Sequence, residues 1–280
     1  MENGHQFQDV SNSKANYDCL LFDLDDTLYP YSSGLSAQTA KNIEEYMLQK
    51  LCMNPVKLPE VNQSLYKIYG TTMAGLKAIG YDFDCDDFHR SVHGRLPYNW
   101  LKPDPVLKGI LQSLPIRKII FTNADHSHAV RALQRLGLED CFEIIISFDA
   151  LNPSNKASKP VSTEIFDFYE YVSHPDPDVT LPKTPVVCKP FEDAFEKVFE
   201  IADIDPKRTL FFDDSTRNLL TAKRLGLHTV VVGTSVRTTG VDHALESIHN
   251  IREAFPELWE DSEKHEIVKY KVAIETSVIA

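Results

Sequence analysis

The sequence lacks the features that would indicate a membrane protein, a disulfide scaffold or a nucleic-acid-binding surface. No apolar run approaches the ~20 residues that span a bilayer, and residues 1–16 have no apolar core like that of a signal peptide. The five cysteines include no Cys-x-x-Cys pair, so we expect reduced thiols and neither a disulfide framework nor a zinc site built on them. Lysine and arginine number 29 against 41 acidic residues, which argues against clustered contacts to nucleic-acid phosphates.

These absences leave a cytoplasmic protein as the expectation, with the nucleus also open to a small chain. We expect neither a membrane nor a nucleic acid as partner. The formal charge of −12 still permits a small phosphate ester, because one metal ion and one lysine in a cleft can attract it. A length of 280 residues and a hydrophobic fraction of 42% allow one large domain, or a core with a smaller insert.

Six short apolar runs predict buried strands. Their side chains are continuously apolar and do not alternate with polar ones, which is typical of a parallel sheet covered on both faces. The runs are residues 19–22, 118–121, 143–147, 184–188, 209–212 and 229–232. Helical spacing of apolar residues follows at 128–136, 193–202 and 218–225. This alternation predicts an α/β fold with a doubly wound, Rossmann-like parallel sheet.

Two stretches depart from the alternation. Residues 33–101 show helical patterns at 37–51, 60–78 and 85–93, which predict an all-helical cap inserted into the core. Residues 152–182 are rich in Pro, Ser, Thr and Asp and predict a mobile surface insertion. The predicted division has four parts. They are a flexible N-terminus at residues 1–16, a core of two segments at 17–32 and 102–255, the cap at 33–101 and a C-terminal tail at 256–280. A tail helix is predicted at 244–255.

The first chemical motif is Asp23-x-Asp25, directly after the first predicted strand. Residues two apart leave the strand on the same side of the chain. One carboxylate can then attack phosphorus while the other gives a proton to the leaving oxygen and later takes one from water. Acidic strand ends and helix N-caps are common, so this motif alone is weak evidence.

Three further strand ends carry complementary groups. Thr122 and Asn123 offer a hydroxyl and backbone amides for phosphate oxygens. Lys189 offers a point positive charge, and Asp213 and Asp214 offer the hard oxygen ligands that Mg²⁺ prefers. Each has an ordinary explanation, as a turn residue, a surface lysine or a helix N-terminus. Their joint placement at the same edge of one sheet favours phosphoryl transfer.

These motifs, in this order along the chain, resemble the four motifs of the haloacid dehalogenase superfamily, over residues 18–233. Several stretches resemble the pyrimidine 5′-nucleotidase branch, with the character of plant members. They are residues 28–34, 69–70 with 75–76, 96–97, 102–104, 122–124 and 188–190. The resemblance implies a phosphomonoester hydrolase that acts on a small phosphorylated metabolite, a nucleotide similar to a pyrimidine 5′-monophosphate, through an aspartyl-phosphate.

The resemblance also implies roles for individual residues. Asp23 is the expected nucleophile and Asp25 the expected general acid and base. Phosphate is expected to meet Thr122, Lys189 and the backbone amides of Leu24 and Asn123.

The cofactor implied by the resemblance is Mg²⁺. Asp23, the backbone carbonyl of Asp25 and Asp214 are its expected ligands, and Asp213 assists them.

Several alternatives share parts of this pattern. A 2-haloacid dehalogenase needs neither Asp25 nor the Asp213–Asp214 pair, a response-regulator receiver carries its acidic pair before the phosphorylated strand, and a P-type ATPase needs membrane helices. A phosphomutase, a phosphatase for sugar or vitamin-derived phosphates, and a non-catalytic interaction protein on the same scaffold remain open. The residues in or near the cap that offer contacts to a base are Tyr29, Tyr31, Thr71, Thr72, His93, Arg95 and Tyr98.

Overall fold

The computed structural model describes residues 17–153 and 165–259. Predictions for residues 1–16, 154–164 and 260–280 lie outside this part of the chain. Six parallel strands form one sheet in the order β3-β2-β1-β4-β5-β6. The strands are β1 Cys19–Phe22, β2 Arg117–Phe121, β3 Ile144–Ile146, β4 Thr209–Asp213, β5 His228–Val232 and β6 His243–Leu245. The predicted doubly wound α/β fold is confirmed.

The strand order places a switch point between β1 and β4. From β1 the chain winds outward through β2 and β3, and it then returns to β4 and winds the other way. Every residue of β1 and β4 is buried, as expected for central strands covered on both faces. Ligands of open α/β sheets bind at the carboxyl ends of the strands beside such a point. Asp23 directly follows β1 and Asp213 ends β4, so both lie at this position.

Eleven α-helices connect and cover the strands in the described residues. The first four of the five that lie between β1 and β2 are called the cap helices below: α1 Leu35–Gln49, α2 Leu58–Tyr69, α3 Thr72–Ala78 and α4 Cys85–Val92. The others are α5 Pro105–Ser113, α6 His126–Leu136, α7 Phe148–Leu151, α8 Phe168–Ser173, α9 Glu192–Ala202, α10 Thr216–Arg224 and α11 Ile251–Ala254. No helix of the described residues is long and apolar enough to cross a bilayer.

The single helix predicted at residues 60–78 is two helices. Gly70 ends α2 with a φ of 82°, a left-handed conformation that glycine adopts without steric cost. Thr71 then caps α3, since its hydroxyl accepts a hydrogen bond from the Ala74 amide. The apolar periodicity continues across the break, so only the Gly-Thr pair signals it.

Two sequence predictions are wrong. Residues 184–188 form no strand, because the backbone of Val187 is paired by the side-chain amide of Asn152, at 3.0 Å in both directions. The sixth strand is β6 instead, which overlaps the start of the helix predicted at 244–255. Within that predicted range, only α11 is α-helical. Asp242 accepts hydrogen bonds from the amide and hydroxyl of Thr229, which holds the start of β6 beside β5.

Part of the described 152–182 insertion packs on the cap, while residues 173–180 are exposed, as expected for a surface insertion. Phe168 of α8 is buried in the same apolar cluster as the cap helices. Three hydrogen bonds reinforce the contact: the Phe166 amide to the Ile79 carbonyl at 2.9 Å, the Tyr69 hydroxyl to the Pro182 carbonyl at 2.9 Å, and the Thr184 hydroxyl to the Ala74 carbonyl at 2.8 Å.

Candidate active site

The cap helices face the carboxyl ends of the central strands across a cleft of about 880 Å³. The cleft floor includes Asp23, Asp25, Thr122, Lys189 and Asp214 from the sheet side. The cap contributes polar side chains from α1, α2 and α3 and the turn before α3. A volume of this size is within the range of small-molecule sites, about 300–1,000 Å³.

Four charged residues form what we call the acid–lysine cluster: Asp23, Lys189, Asp213 and Asp214. The Lys189 Nζ lies 2.7 Å from Asp23 Oδ1 and 2.8 Å from Asp213 Oδ2, and it also donates to the Phe121 carbonyl at 2.8 Å. Its side chain is buried. Burial disfavours the ammonium, but Asp213 and Asp23 outweigh it and raise the pKa of Lys189. Lys189 is therefore held as a cation between two carboxylates.

The two adjacent aspartates of the cluster differ in their contacts. Asp213 is fully buried, and its oxygens accept hydrogen bonds from Lys189 and the Ser215 amide, while the Asn218 side-chain nitrogen donates to both of them at 3.0 Å. Asp214 is exposed at the cleft. Asp213 therefore positions the lysine and the loop, whereas Asp214 has a carboxylate available for a ligand.

The acid–lysine cluster fits a divalent cation. One oxygen each from Asp23, Asp213 and Asp214 lies within 4.8 Å of the others, and three carboxylates face a single ammonium. Burial raises the pKa of Asp23 despite Lys189, and Asp213 and Asp214 raise it further. The Asp214 side chain is exposed to the cleft but partly desolvated by the surrounding protein, and this desolvation together with Asp213 raises its pKa to about 7. The ionised cluster therefore lacks positive charge, and its hard oxygen donors match Mg²⁺.

The residues predicted to bind phosphate lie beside the cluster, and their side chains have distinct tasks. Thr122 is buried, and its hydroxyl accepts from the Ala124 amide at 3.0 Å. The Asn123 side chain is hydrogen-bonded to the backbone of Lys189. Its Nδ2 donates to the Lys189 carbonyl at 2.9 Å, and its Oδ1 accepts from the Lys189 amide at 2.8 Å. Leu24 is buried in the core, so only its backbone can face a ligand. Asn123 thus also positions the lysine, a role that its sequence context does not show.

Asp25 has a separate environment from Asp23. Its Oδ1 lies 2.7 Å from His128 Nε2 and accepts a hydrogen bond from the Tyr29 hydroxyl. Burial favours the neutral acid, but the charge of His128 and the bonds from His128 and Tyr29 lower the pKa of Asp25 to about 2. Burial disfavours the imidazolium of His128, but Asp25 raises its pKa overall. The two residues form a proton-holding pair.

His128 belongs to a group that we call the histidine cluster: His89, His93, Asp125 and His128. His93 Nδ1 lies 2.5 Å from Asp125 Oδ2, and its ring is tilted against that of His128 with centroids 4.6 Å apart. His89 Nδ1 lies 3.4 Å from Asp125 Oδ2. Burial lowers the pKa of His89 to about 4. Of these residues, only His93 was singled out in the sequence; the spacing of His89 and His93 on one helix face was the available signal.

The residues suggested for base recognition divide into two groups. Tyr31, Thr71, Thr72 and His93 line the cleft. The other three have structural partners: the Tyr29 hydroxyl bonds Asp25, the Tyr98 hydroxyl lies 2.9 Å from His128 Nδ1, and Arg95 pairs with Glu45 at the surface.

The cap contacts the core directly at the lysine. A methyl group on Gly70 would lie 2.1 Å from the Lys189 carbonyl oxygen and 2.5 Å from Pro190 Cδ. On the other side of the cleft, Arg217 of α10 donates to the Tyr66 carbonyl of α2 at 3.0 Å. The turn between α2 and α3 is thus fitted to the loop that carries Lys189.

The fold and site define a doubly wound α/β protein with a carboxylate-rich site at its switch point. A family model described as haloacid dehalogenase-like hydrolase matches residues 17–226, and the chain therefore belongs to that family of hydrolases. Phosphate metabolism protein 8 of Saccharomyces cerevisiae is 23% identical over 223 residues, 75% of this chain and 60% of that protein. The match thus spans less than two thirds of that relative.

Two solved structures illustrate the shared fold. CbbY from Rhodobacter sphaeroides, in complex with phosphate, is 16% identical with a TM-score of 0.50, and the match covers 84% of this chain and 96% of that one. A putative beta-phosphoglucomutase from Thermotoga maritima is 17% identical with a TM-score of 0.48, covering 86% and 99%.

Proposed function

We propose that this protein is a Mg²⁺-dependent phosphomonoester hydrolase that acts through an aspartyl-phosphate on Asp23. The observation that carries the proposal is the placement of Asp23. Its Oδ1 is held at 2.7 Å by a buried lysine, at the switch point of the sheet and at the floor of the cleft. A second carboxylate, Asp25, lies two residues away with its own hydrogen-bonding partners.

The first step is attack by the Asp23 carboxylate on phosphorus, with departure of the ester oxygen. Both reactants are anionic, so the attack requires nearby positive charge. Lys189 supplies a fixed part of it, because its ammonium is locked between Asp23 and Asp213. Bound Mg²⁺, on Asp23, Asp214 and the backbone carbonyl of Asp25, would supply the remaining charge neutralisation. The Thr122 hydroxyl and the amides of Leu24 and Asn123 would orient the phosphate oxygens.

The second requirement is a proton for the leaving oxygen. The Asp25–His128 pair holds one, with the imidazole at 2.7 Å from the carboxylate. We assign His128 as its resting position and Asp25 as the group that delivers it. Asp25 then accepts a proton from water, the water oxygen attacks phosphorus of the aspartyl-phosphate, and inorganic phosphate leaves with Asp23 restored.

We propose a small nucleotide, similar to a pyrimidine 5′-monophosphate, as the substrate. The cleft has the volume for a nucleoside monophosphate. Two polar side chains of the cap, Asn62 and Thr72, line the same cleft as Asp23. The Thr72 hydroxyl donates a hydrogen bond to Asn62 Oδ1 at 2.6 Å. The stretches that resemble the plant nucleotidase branch support the same choice, and the name of the yeast relative agrees with phosphate chemistry. The five free cysteines support a reducing compartment such as the cytoplasm.

The proposal is tested by phosphate release from a panel of esters, with Mg²⁺ or with a chelator, for wild type and Asp23→Asn. The panel holds UMP, CMP, AMP, GMP, nicotinamide and flavin mononucleotides, and sugar phosphates. We expect a pyrimidine preference, dependence on Mg²⁺, and a loss of more than about 10⁴-fold in the variant, since no covalent route remains.

Other outcomes identify the alternatives. A preference for sugar or vitamin-derived phosphates would contradict the nucleotide assignment and leave the mechanism intact. Phosphoryl transfer between positions of a sugar phosphate, without phosphate release, would identify a phosphomutase. No reaction with any ester by the folded protein would favour an interaction protein on this scaffold.

A further inference from the structure

The histidine cluster contains a set of donors that the proposed hydrolysis does not use. His89 lies on α4 of the cap, His93 caps the end of that helix one turn later, and Asp125 caps helix α6 of the core. One donor atom from each lies within 4.8 Å of the others. We propose that these three residues bind a zinc ion that links the cap to the core, separately from the acid–lysine cluster.

The spacing on α4 suits a metal ion. Residues i and i+4 lie one above the other on one helix face, so both imidazoles point toward the same carboxylate. The other carboxylate oxygen of Asp125, Oδ1, accepts a hydrogen bond from the His128 backbone amide at 3.0 Å. That bond fixes the carboxylate and leaves Oδ2 directed at the two rings, as ligand carboxylates are usually held.

The distances are close to those of a tetrahedral site. With zinc–nitrogen and zinc–oxygen bonds of about 2.0–2.2 Å, neighbouring ligand atoms are about 3.3–3.6 Å apart. His89 Nδ1 and Asp125 Oδ2 already lie 3.4 Å apart. His93 Nδ1 and Asp125 Oδ2, at 2.5 Å, share a hydrogen bond instead. Zinc would replace the shared proton, and the His93 ring would withdraw by about 1 Å.

His89 itself is evidence for a missing partner. The residue is 7% exposed, and within the described residues neither of its ring nitrogens has a hydrogen-bond partner. A buried polar group without a partner costs about 1–3 kcal/mol. The fold places the His89 ring with its Nδ1 beside Asp125. A bond from Nδ1 to a metal ion would give this nitrogen the partner that it lacks.

The donor type separates this site from the catalytic one. Two imidazoles and one carboxylate are the donors that zinc accepts in three-residue sites with one open position, whereas Mg²⁺ prefers oxygen. A cavity of about 290 Å³ is lined by all three residues and not by Asp23. It has room for a water molecule or an external ligand at the fourth position.

The test uses the full chain with Asp214→Asn, which removes an expected ligand of the acid–lysine cluster and leaves the histidine cluster intact. We expect the purified, chelator-treated variant to bind one Co²⁺ with the strong visible absorption of a four-coordinate, nitrogen-ligated ion. One equivalent of Zn²⁺ should displace it, millimolar Mg²⁺ should not, and Zn²⁺ should raise the thermal midpoint.

Ligand variants in the same background then locate the ion. His89→Gln and Asp125→Asn should each weaken Zn²⁺ binding by at least about 100-fold, since even outer-shell changes cost about 10–100-fold. The matched control is His249→Gln, because His249 also pairs with one carboxylate, Asp104 at 2.7 Å, but has no second histidine in that group. It should bind Zn²⁺ as tightly as its parent.

Two results would overturn the proposal: no stoichiometric Zn²⁺ binding by folded Asp214→Asn protein, or an affinity that His89→Gln leaves unchanged. If the ligand variants do not fold, histidine-ring NMR signals of the Asp214→Asn protein decide. Zn²⁺ must then shift the signals of His89 and His93 and leave those of His249 in place. None of these measurements depends on phosphatase activity, so the zinc site and the proposed function can fail independently.

Discussion

The acid–lysine cluster and the histidine cluster lie at the same cleft but are built differently. The first comes entirely from the core, at the ends of β1 and β4 and from the loop before α9. The second joins a cap helix, α4, to the start of core helix α6. In the first, the buried ammonium contacts two carboxylates and a carbonyl. In the second, one buried imidazole is left without a hydrogen-bond partner among the described residues.

The difference indicates two kinds of preorganisation. The acid–lysine cluster is fixed by charge, and removing one member leaves a buried charge uncompensated. The histidine cluster spans the boundary between cap and core, where the hydrogen bond between His93 and Asp125 also holds the cap. The first fits a site of fixed geometry for chemistry, and the second fits a contact that a ligand can strengthen.

Among the changes that test the contrast between the two clusters, the largest effect is expected from Asp25→Asn, because Asp25 lies two residues from Asp23 and bonds His128. Asparagine keeps the shape but delivers no proton, so kcat for phosphate release should fall about 10²–10⁴-fold. The measurement is steady-state hydrolysis of the best ester of the panel. The control is Asp26→Asn, at the neighbouring acid, which lines the same cleft but whose side chain is bonded to Ser36. A fall of under tenfold for Asp25→Asn would contradict its role as acid and base.

Lys189→Met tests the charge balance of the acid–lysine cluster. The change leaves Asp23 and Asp213 buried together without their ammonium, and we expect the free energy of unfolding to fall by about 3–5 kcal/mol. Denaturant titration at pH 7 without metal measures it. Lys197→Met, which removes one lysine bond to the Leu151 carbonyl, is the matched control and should cost about 1 kcal/mol. Equal losses would mean that the cluster is not held by charge.

Gly70→Ala tests whether the cap turn sets the position of Lys189. The added methyl would meet the Lys189 carbonyl at 2.1 Å, and the φ of 82° is unfavourable for alanine. The lysine loop must shift, and a displacement of about 1 Å can cost about 10²-fold in rate. We expect kcat to fall by that factor.

The control for Gly70→Ala is Gly109→Ala, in helix α5, where a methyl group meets nothing within 4 Å. It should leave kcat unchanged. An unaltered rate for Gly70→Ala would show that the loop adjusts without moving the ammonium.

His89→Leu sharpens the contrast with Lys189→Met. In metal-free protein the change removes two unpaired buried nitrogens, a gain of about 1–3 kcal/mol, against lost ring contacts of about 0.5–1.5 kcal/mol. We expect the free energy of unfolding to stay constant or to rise by up to about 2 kcal/mol. Chemical denaturation with a chelator present measures it. A loss above about 1 kcal/mol would mean that the imidazole is already satisfied.

The smallest effect is expected outside both clusters, at His243 on β6. Burial lowers the pKa of His243, with Asp242 and Glu257 opposing and His228 and Arg237 assisting. The unfolded chain then binds more protons than the folded one below its ordinary pKa of about 6.5, so stability is full above that pH and falls as the pH is lowered. His243→Gln should flatten the slope of unfolding free energy between pH 7 and pH 5. An unchanged slope would assign the acid sensitivity to other groups.

Much of the fold and the core of the site could be predicted from the sequence because both are local. A continuous apolar run that ends in Asp, Thr or Asp-Asp identifies a buried strand and the group at its end. Parallel strands then bring those ends to one edge of the sheet, whatever the intervening residues are. Five of the six predicted strands form, and three of them, β1, β2 and β4, end in such a group. Residues 184–188 break it, because an apolar run looks the same whether a strand or the Asn152 amide pairs its backbone.

The sequence by itself determined the doubly wound sheet, the strand-end positions of Asp23, Asp25 and the Asp213–Asp214 pair, and the helical character of the segment after β1, whereas Lys189 follows no strand and is held by the Asn123 side chain. Only the tertiary structure decided that His128, 103 residues from Asp25, pairs with it, and that Asp125 faces two cap histidines. The physical reason is distance along the chain. Strand ends converge through the repeating geometry of the sheet, whereas the contacts of a core helix or of the cap with distant residues depend on how whole elements pack together, which no local pattern encodes.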